Sequence, residues 1–462
     1  MRNSTGPAPA GFGGSPVSGE SAATPRGLAT WPVASFTLRH RPPAPPTAQW
    51  RPGVSSSQTR PASVVTVAYL DAASSEPLHP AARAALLSGL DDGWADPARL
   101  HGDGRRARLL LDQARQRIAA VLGCRADELS FTGSGTQAAH LAVLGTVAAR
   151  RRSPRPGRHP HITASAVEHS SVLHAVGHCE RNGAEVTIVG VDQQGGVDAA
   201  EFAAALRKPA SGAQGHTSHA AGTVLACLQS ANPEVGTIQP VQDVASACRS
   251  ASIPLLVDAA ASAGRMPIPD GWSLLTASAH KWGGPAGIGV LAVRKGTRWR
   301  SPLPDGAHDR GVPGYPNVPA ALAAAAALDA MDTEWLTRES ALRALTDRIR
   351  VRVPDMVPDS AVYGDPVQRL PHIASFSFLY VNGEALVTEL DRAGFGVSSG
   401  SACTADTLRP SHVLEAMGVV THGNVRVSLP RATTEDTIER FLAVLPDIVA
   451  RLRGGTDPAV SA

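Results

Sequence analysis

The stretch Thr276-Ala-Ser-Ala-His-Lys-Trp-Gly-Gly-Pro-Ala-Gly-Ile-Gly289 sets a lysine between two apolar runs of strand length, Leu274–Ser278 and Gly289–Val293. A lone lysine is ordinarily a solvated surface charge. Lys208 and Lys295, each next to an arginine and close to loop signals, fit that reading. Lys281 does not: it follows a strand, and the glycines after it let a bulky ligand come close to the backbone. An amine so placed suits a Schiff base with a carbonyl cofactor. The chain has 43 basic residues, and these three are its only lysines. Any chemistry that needs a deprotonatable amine must draw on them.

Outward from this stretch the pattern alternates. Helical apolar spacing marks residues 81–90, 107–122, 136–150 and 171–182; strand-like runs fall at 129–131, 162–165, 185–189, 223–228 and 254–257. Strands alternating with helices predict an α/β fold with a mostly parallel sheet. Residues 319–331 read as an Ala-rich helix bridging two lobes. Beyond it, 332–353, 386–393, 413–417 and 434–452 read as helices, and 373–378 and 425–429 as strands, a smaller α+β lobe. The expected domains are therefore a large one over 81–318 and a small C-terminal one over 319–455, with a tail at 456–462. Order is expected to begin with a strand-like run at 64–70 within a lead-in segment, 64–80. Residues 1–63, rich in Pro, Gly, Ser, Ala and Arg and without a period of 2 or 3.6, read as a disordered extension. The Gly/Ser/His-rich insert 209–221 reads as a surface loop.

Composition narrows the function classes. With 462 residues, 43% hydrophobic and 18% charged, the chain is no wholly disordered protein, and its length suits a two-lobed enzyme. Aromatics are only 4%, so Ala, Leu and Val must fill the core. A formal charge of +3 is too balanced to point to nucleic acid or a membrane surface. No run reaches the ~18 apolar residues of a membrane span. The start, Met1-Arg-Asn-Ser-Thr, lacks the layout of a signal peptide. Five scattered cysteines without metal spacing fit a reducing compartment, so the cytoplasm is the expected location.

Several other residues can carry chemistry. Ser252-Ile-Pro-Leu-Leu-Val-Asp258 ends an apolar run on a carboxylate, at the edge where parallel sheets bind ligands. Asp258 reads either as the partner of a protonated pyridine nitrogen or as the cap of the segment that follows. Phe131-Thr-Gly-Ser-Gly-Thr-Gln137 is strand, small-residue turn, helix, a layout whose N–H groups and hydroxyls cradle phosphate, although many helices begin this way. His169 suits stacking on a planar cofactor or a structural role; Arg426 suits a carboxylate clamp or a surface ion pair. Cys403 lies in Gly396-Val-Ser-Ser-Gly-Ser-Ala-Cys-Thr404, among residues too small to build a core, and is a candidate nucleophile or sulfur carrier. Cys124, Cys179, Cys227 and Cys248 sit in apolar or helical context and read as inert.

Taken in order, these pieces resemble the cysteine desulfurases of the class V aminotransferase family, which are fold-type I pyridoxal 5'-phosphate (PLP) enzymes. The likeness runs from Tyr69-Leu-Asp-Ala72 to about Leu452. Its most specific matches are Ser278-Ala-His-Lys281 with Gly284-Pro-Ala-Gly-Ile-Gly289, and Ser398-Ser-Gly-Ser-Ala-Cys403 with Arg409-Pro-Ser-His-Val-Leu414. Val257-Asp258, Val167-Glu-His169 and Asn232-Pro-Glu-Val-Gly236 also match in place. The resemblance implies a seven-stranded, mostly parallel sheet in the large domain and an N-terminal segment packed with the small one. Lys281 would carry the cofactor and move the Cα proton. Asp258 would pair with the pyridine nitrogen, and His169 would stack on the ring. Gly135, Thr136, Ser278 and His280 would hold the phosphate, Asn232 would stand near the cofactor, and Arg426 would take the substrate carboxylate. Cys403 would attack the sulfur of bound L-cysteine, giving alanine and a persulfide for an acceptor protein. A homodimer with composite sites is implied, and the Ser-Ser-Gly-Ser-Ala-Cys form looks like the branch serving iron–sulfur clusters and tRNA thiolation.

Three departures from the family pattern stand out: Ala261 where a glutamine is usual, Pro233 where a second asparagine is usual, and Tyr315 where a threonine reaches the neighbouring subunit's phosphate. Each removes a polar contact of roughly 1 kcal/mol. Two readings compete with a desulfurase. One is another class V PLP activity (cysteine lyase, aminotransferase or epimerase) in which Cys403 takes no sulfur. The other is a degenerate PLP-fold scaffold in a sulfur-transfer complex.

Overall fold

Short apolar strands, most of them followed by a helix, build the central sheet. The structure is a computed structural model and describes residues 67–151, 159–207, 222–304, 312, 314–399 and 410–454. The expected extension 1–63, the tail 456–462, the 209–221 loop, Lys208 and Cys403 lie outside the described residues. A two-residue strand β1 (Ala68–Tyr69) leads into α1 (Pro80–Asp92) and α2 (Gly102–Val121). The alternation then runs β2 (Leu129–Thr132), α3 (Gly135–Arg151), β3 (His161–Ser165), α4 (Ser170–Arg181), β4 (Glu185–Val189), α5 (Ala199–Ala205), β5 (Thr223–Cys227), α6 (Val241–Ser250), β6 (Leu255–Asp258), β7 (Leu274–Ser278) and β8 (Gly289–Val293). The sheet order is β2-β8-β7-β6-β5-β3-β4. Every strand runs the same way except β8, which is antiparallel to both neighbours. β2, β3, β5, β6 and β7 are buried along their whole length; β5, β6 and β7 are accordingly mostly apolar, while β2 and β3 alternate apolar with buried polar side chains. One apolar cluster, with Leu111, Ile118, Phe202 and Leu328, covers one side; a second, with Val143, Ile162 and Val172, covers the other.

A single helix, α7 (Val318–Met356), joins this sheet to the rest. The sequence reading broke it at Met331. Asp332 and Thr333 are capping residue types, but no glycine or proline stands at that point, and Thr333 Oγ1 instead donates back to the Asp329 oxygen at 2.8 Å within the continuous helix. Its start, 318–327, holds seven alanines, with Ala320, Ala321, Ala323, Ala324, Ala325 and Ala327 buried, and the small side chains let α1 and α2 pack close. After it come β9 (Ser360–Tyr363), β10 (Ile373–Phe378), α8 (Gly383–Arg392), β11 (Phe395–Gly396), α9 (His412–Ala416), β12 (Asn424–Ser428) and α10 (Glu435–Gly454). β12, β10 and β9 form an antiparallel sheet with its own core of Phe376, Phe378, Phe395 and Phe441. β1 pairs in parallel with β11, and Leu70 enters the same core. Among the described residues no helix is long and apolar enough to cross a membrane.

Candidate active site

Five parallel strands deliver residues to one edge of the large sheet. At or just past the C-terminal ends of β2, β3, β5, β6 and β7 stand Gly135, His169, Gln229, Asp258 and Lys281, and all line one cavity of about 190 Å³. Open α/β sheets bind ligands at this edge.

Lys281 rides a 3-10 turn, Ala279–Trp282, that starts where β7 stops. Gly283 closes the turn at φ +79°, a conformation that favours glycine. Trp282 is fully buried and donates from Nε1 to the Ala324 oxygen of α7 at 3.0 Å, so the turn is pinned to the long helix. Ser278 Oγ lies 3.0 Å from His280 Nδ1, and both side chains line the cavity with Thr136. The start of α3 presses against this pair: a Cβ at Gly135 would lie 2.8 Å from the Ser278 Cβ, so only glycine fits. Ser134 Oγ accepts from the Gln137 N–H at 3.0 Å, and Gly135 and Thr136, whose N–H groups precede the first intrahelical bond, line the cavity with Ser134.

Asp258 caps the turn that follows β6, and its carboxylate also lines the cavity. Its Oδ1 accepts from the Ala260 N–H at 3.0 Å, and also from Thr276 Oγ1 at 3.2 Å. Burial raises its pKa, while the Ala260 N–H and nearby Lys281 pull it back. A cation brought to this carboxylate would favour the charged form further. His169 caps α4: its Nδ1 accepts from the Ser171 N–H at 3.2 Å, with Ser171 Oγ at 2.8 Å. Burial first, then the charge of Lys281, pushes its pKa down to about 3, so the ring is neutral and its proton sits on Nε2.

Two expected site residues stand elsewhere. Asn232 is buried but does not line the cavity: its Oδ1 accepts from the Glu234 and Val235 N–H groups at 2.8 and 3.0 Å, and its amide donates to the Val167 oxygen at 3.2 Å. The Asn232 side chain is engaged in the local turn, and its neighbours Ala231 and Pro233 line the cavity. Gln229 occupies the cavity wall instead. Arg426, on β12, is no surface residue but is 4% exposed. Its Nη2 donates to Asp71 Oδ1 at 2.7 Å and Ser74 Oγ at 2.6 Å, and its Nη1 to the Pro233 oxygen at 3.0 Å. Cys403 lies outside the described residues, and the chain on either side of that segment is anchored. Ser398 exchanges backbone hydrogen bonds with Arg426 at 2.7 and 3.2 Å. Ser411 Oγ donates to Glu234 Oε2 at 2.5 Å, and His412 Nε2 lies 3.0 Å from the Glu168 oxygen, next to His169. Of the other cysteines, burial pushes the Cys124 thiol up to about 11, Cys248 up to about 12 and Cys227 well above its usual value. Sequence reading passed over Gln229 and Ser171. Gln229 carried a signal, a polar residue two past a buried parallel strand.

With this geometry in hand, comparison with known proteins is decisive. The model of the family described as Aminotransferase class-V matches residues 68–441. The chain belongs to the class V aminotransferase family. A cysteine desulfurase of Cereibacter sphaeroides is 36% identical over 394 residues, covering 83% of this chain and 96% of the relative. Cysteine desulfurase IscS 1 of Archaeoglobus fulgidus is 33% identical over 392 residues, covering 83% of this chain and 97% of the relative. Among solved structures, a NifS-like protein superposes with a TM-score of 0.74 at 26% identity, covering 84% of this chain and all of that one. The α/β architecture is therefore the fold-type I one, and class V aminotransferases of this kind are PLP enzymes. The residues present fit that cofactor. Helix N–H groups and hydroxyls suit its phosphate, a buried carboxylate suits its ring nitrogen, a neutral imidazole suits its face, and Lys281 suits its carbonyl carbon.

Proposed function

We propose that the chain is a PLP-dependent cysteine desulfurase: L-cysteine becomes L-alanine, and the sulfur is left as a persulfide on Cys403 for an acceptor protein. The observation that carries this is the convergence of Lys281, Asp258, His169 and the start of α3 on one cavity, flanked by both anchors of the Cys403 segment. The relatives at 33–36% identity over most of the chain support the same activity.

When bound, PLP supplies an electron sink for charge developing at the substrate Cα. The protein's own groups do the rest. Gly135, Thr136, Ser278 and His280 hold the phosphate, and Asp258 holds the ring nitrogen protonated. His169, neutral and fixed by Ser171, covers the ring face. Lys281 removes the Cα proton and later returns one. Arg426 takes the substrate carboxylate, for which it must trade part of its bond to Asp71 or Ser74. The Cys403 thiolate attacks the substrate sulfur; an S–S bond forms, the Cβ–S bond breaks, and its electron pair stays on carbon to be protonated. Residues 319–455, with their own sheet and core, serve as the small domain that carries this thiol. The enzyme works as a homodimer, a reading supported by large apolar side chains exposed around α1 and α2, among them Trp94 and Leu100.

The test is product analysis with cysteine and a reductant. Alanine and sulfide in equal amounts are expected; pyruvate and ammonia would mark a lyase. In Cys403→Ser the yellow cofactor should remain, while alanine and sulfide fall to near background. Alanine release at the wild-type rate from that variant would remove Cys403 from the mechanism.

A further inference from the structure

The peptide oxygens of the Lys281 turn are held by residues remote in sequence. The Glu76 N–H donates to the His280 oxygen at 2.9 Å, and the His79 N–H to the Gly283 oxygen at 2.8 Å. The Lys281 oxygen itself accepts from Arg265 Nη2 at 3.2 Å. The same Nη2 donates to Glu76 Oε2 at 2.7 Å, and Glu76 Oε1 accepts from the Arg431 N–H at 3.1 Å. The Arg265 and Glu76 side chains are 3% and 0% exposed. So dry an ion pair gains little over apolar packing of the same volume, so stability alone does not account for it. Its contact with Lys281 does.

Building on the reading of Lys281 as the cofactor lysine, we propose that Glu76 and Arg265 are a positioning pair for it: Arg265 fixes the Lys281 peptide through its oxygen, and Glu76 cancels the charge Arg265 brings. Without the guanidinium the Lys281 oxygen loses that donor and the peptide can turn, displacing the amine by a fraction of an ångström, which is enough to slow a proton transfer. The charges act separately. An Arg265 cation without Glu76 disfavours the protonated amine; a Glu76 carboxylate without Arg265 favours it. Five other groups feel Lys281: Asp258, Glu234, His169, His280 and His372. These and Arg426 stay unaltered below, so opposite shifts can come only from the pair.

Wild type, Glu76→Gln, Arg265→Gln, Arg265→Lys and the Glu76→Gln/Arg265→Gln double variant are loaded with PLP. The pH midpoint of the cofactor's visible band is measured for each. Borohydride labelling is mapped by mass spectrometry, and kcat and KM for cysteine are determined. In cofactor-free protein the pH dependence of Lys281 acylation is followed in parallel. The midpoint should fall in Glu76→Gln, rise in Arg265→Gln, and return toward wild type in the double variant. Arg265→Lys, which keeps the charge, should stay nearer wild type than Arg265→Gln. In the two Gln variants kcat should drop about tenfold with KM within about threefold. If Arg265→Gln does not fold, a midpoint lowered in Glu76→Gln and restored in the double variant is the expected result. Folded single variants whose midpoints stay put, or move the same way, would overturn the pairing while a label on wild-type Lys281 keeps the functional reading intact. A wild type with no label on Lys281 would overturn that reading and the pairing with it.

Discussion

At Gly135 a single methyl group decides whether the cavity exists in its present form. A Cβ there would sit 2.8 Å from the Ser278 Cβ and 3.1 Å from its Oγ, closer than side chains approach without something shifting. Gly135→Ala should therefore push α3 and Ser278 apart just where the N–H groups and hydroxyls converge. The expected outcome is a folded protein that loses most of its bound PLP on dialysis, read as cofactor per chain; full retention would show that the start of α3 does not hold the phosphate. Next to His169, Glu168 makes a pH prediction. It is buried, accepts from the Gln229 N–H at 2.7 Å, and burial raises its pKa from 4.5 to about 8. Below the lower value both folded and unfolded chains carry the proton. As pH rises toward 8 the unfolded chain releases it and the folded chain keeps it, so stability falls across that window and levels off above it. Glu168→Gln removes the slope. The variant's Tm, relative to wild type, should be higher at pH 8 than at pH 5; an equal difference at both would mean Glu168 is ionised in the fold.

Among the elements, α7 bears on the site most directly, because its alanine face holds the Lys281 turn. The Ala324 oxygen accepts from Trp282, and a Cβ at Gly284 would lie 3.2 Å from the Ala324 Cα. Ala324→Leu forces extra volume into that contact and should cost about 1–3 kcal/mol by denaturant unfolding, with weakened PLP retention. Normal stability with lost PLP, or the reverse, would show that helix and turn are not coupled. This element also marks how far the sequence could be read. Lys281 and Asp258 were legible because β7 and β6 are short, mostly apolar runs whose C-terminal ends lie at the sheet edge, and Gly135 because a small-residue turn precedes a helix there. The continuity of α7 was not legible from separate patterns on either side of Met331. β1 and β11, two residues each, carry no periodicity at all. The turn that Asn232 closes was not legible either: whether a buried amide caps its own turn depends on local backbone geometry, which composition does not encode. The burial of Arg426 depends on Asp71, Ser74 and Pro233, all distant in sequence.

On the scale of the whole molecule, residues 68–79 tie the two sheets to the Lys281 turn. β1 pairs with β11, Leu70 is fully buried in the core of the small sheet, and the Ala72 N–H donates to the Ser428 oxygen at 3.1 Å. Asp71 takes Arg426, Glu76 takes Arg265, and His79 caps α1 while its Nε2 meets Glu334 of α7 at 3.1 Å. Two truncations should therefore behave in opposite ways. A chain starting at Val64 keeps all of these contacts and should match the full chain in PLP content, Tm and desulfurase rate. A chain starting at Pro80 leaves the buried guanidiniums of Arg265 and Arg426 without their carboxylates, at about 3–5 kcal/mol for each broken buried pair, and opens the small core at Leu70. That loss is comparable to the whole stability of many proteins. The shorter chain should be insoluble or unable to hold PLP. If it instead folds and binds PLP at wild-type occupancy, the Lys281 turn is held without its N-terminal strap. If the chain starting at Val64 loses cofactor, residues 1–63 contribute to the site and were misread as a dispensable extension.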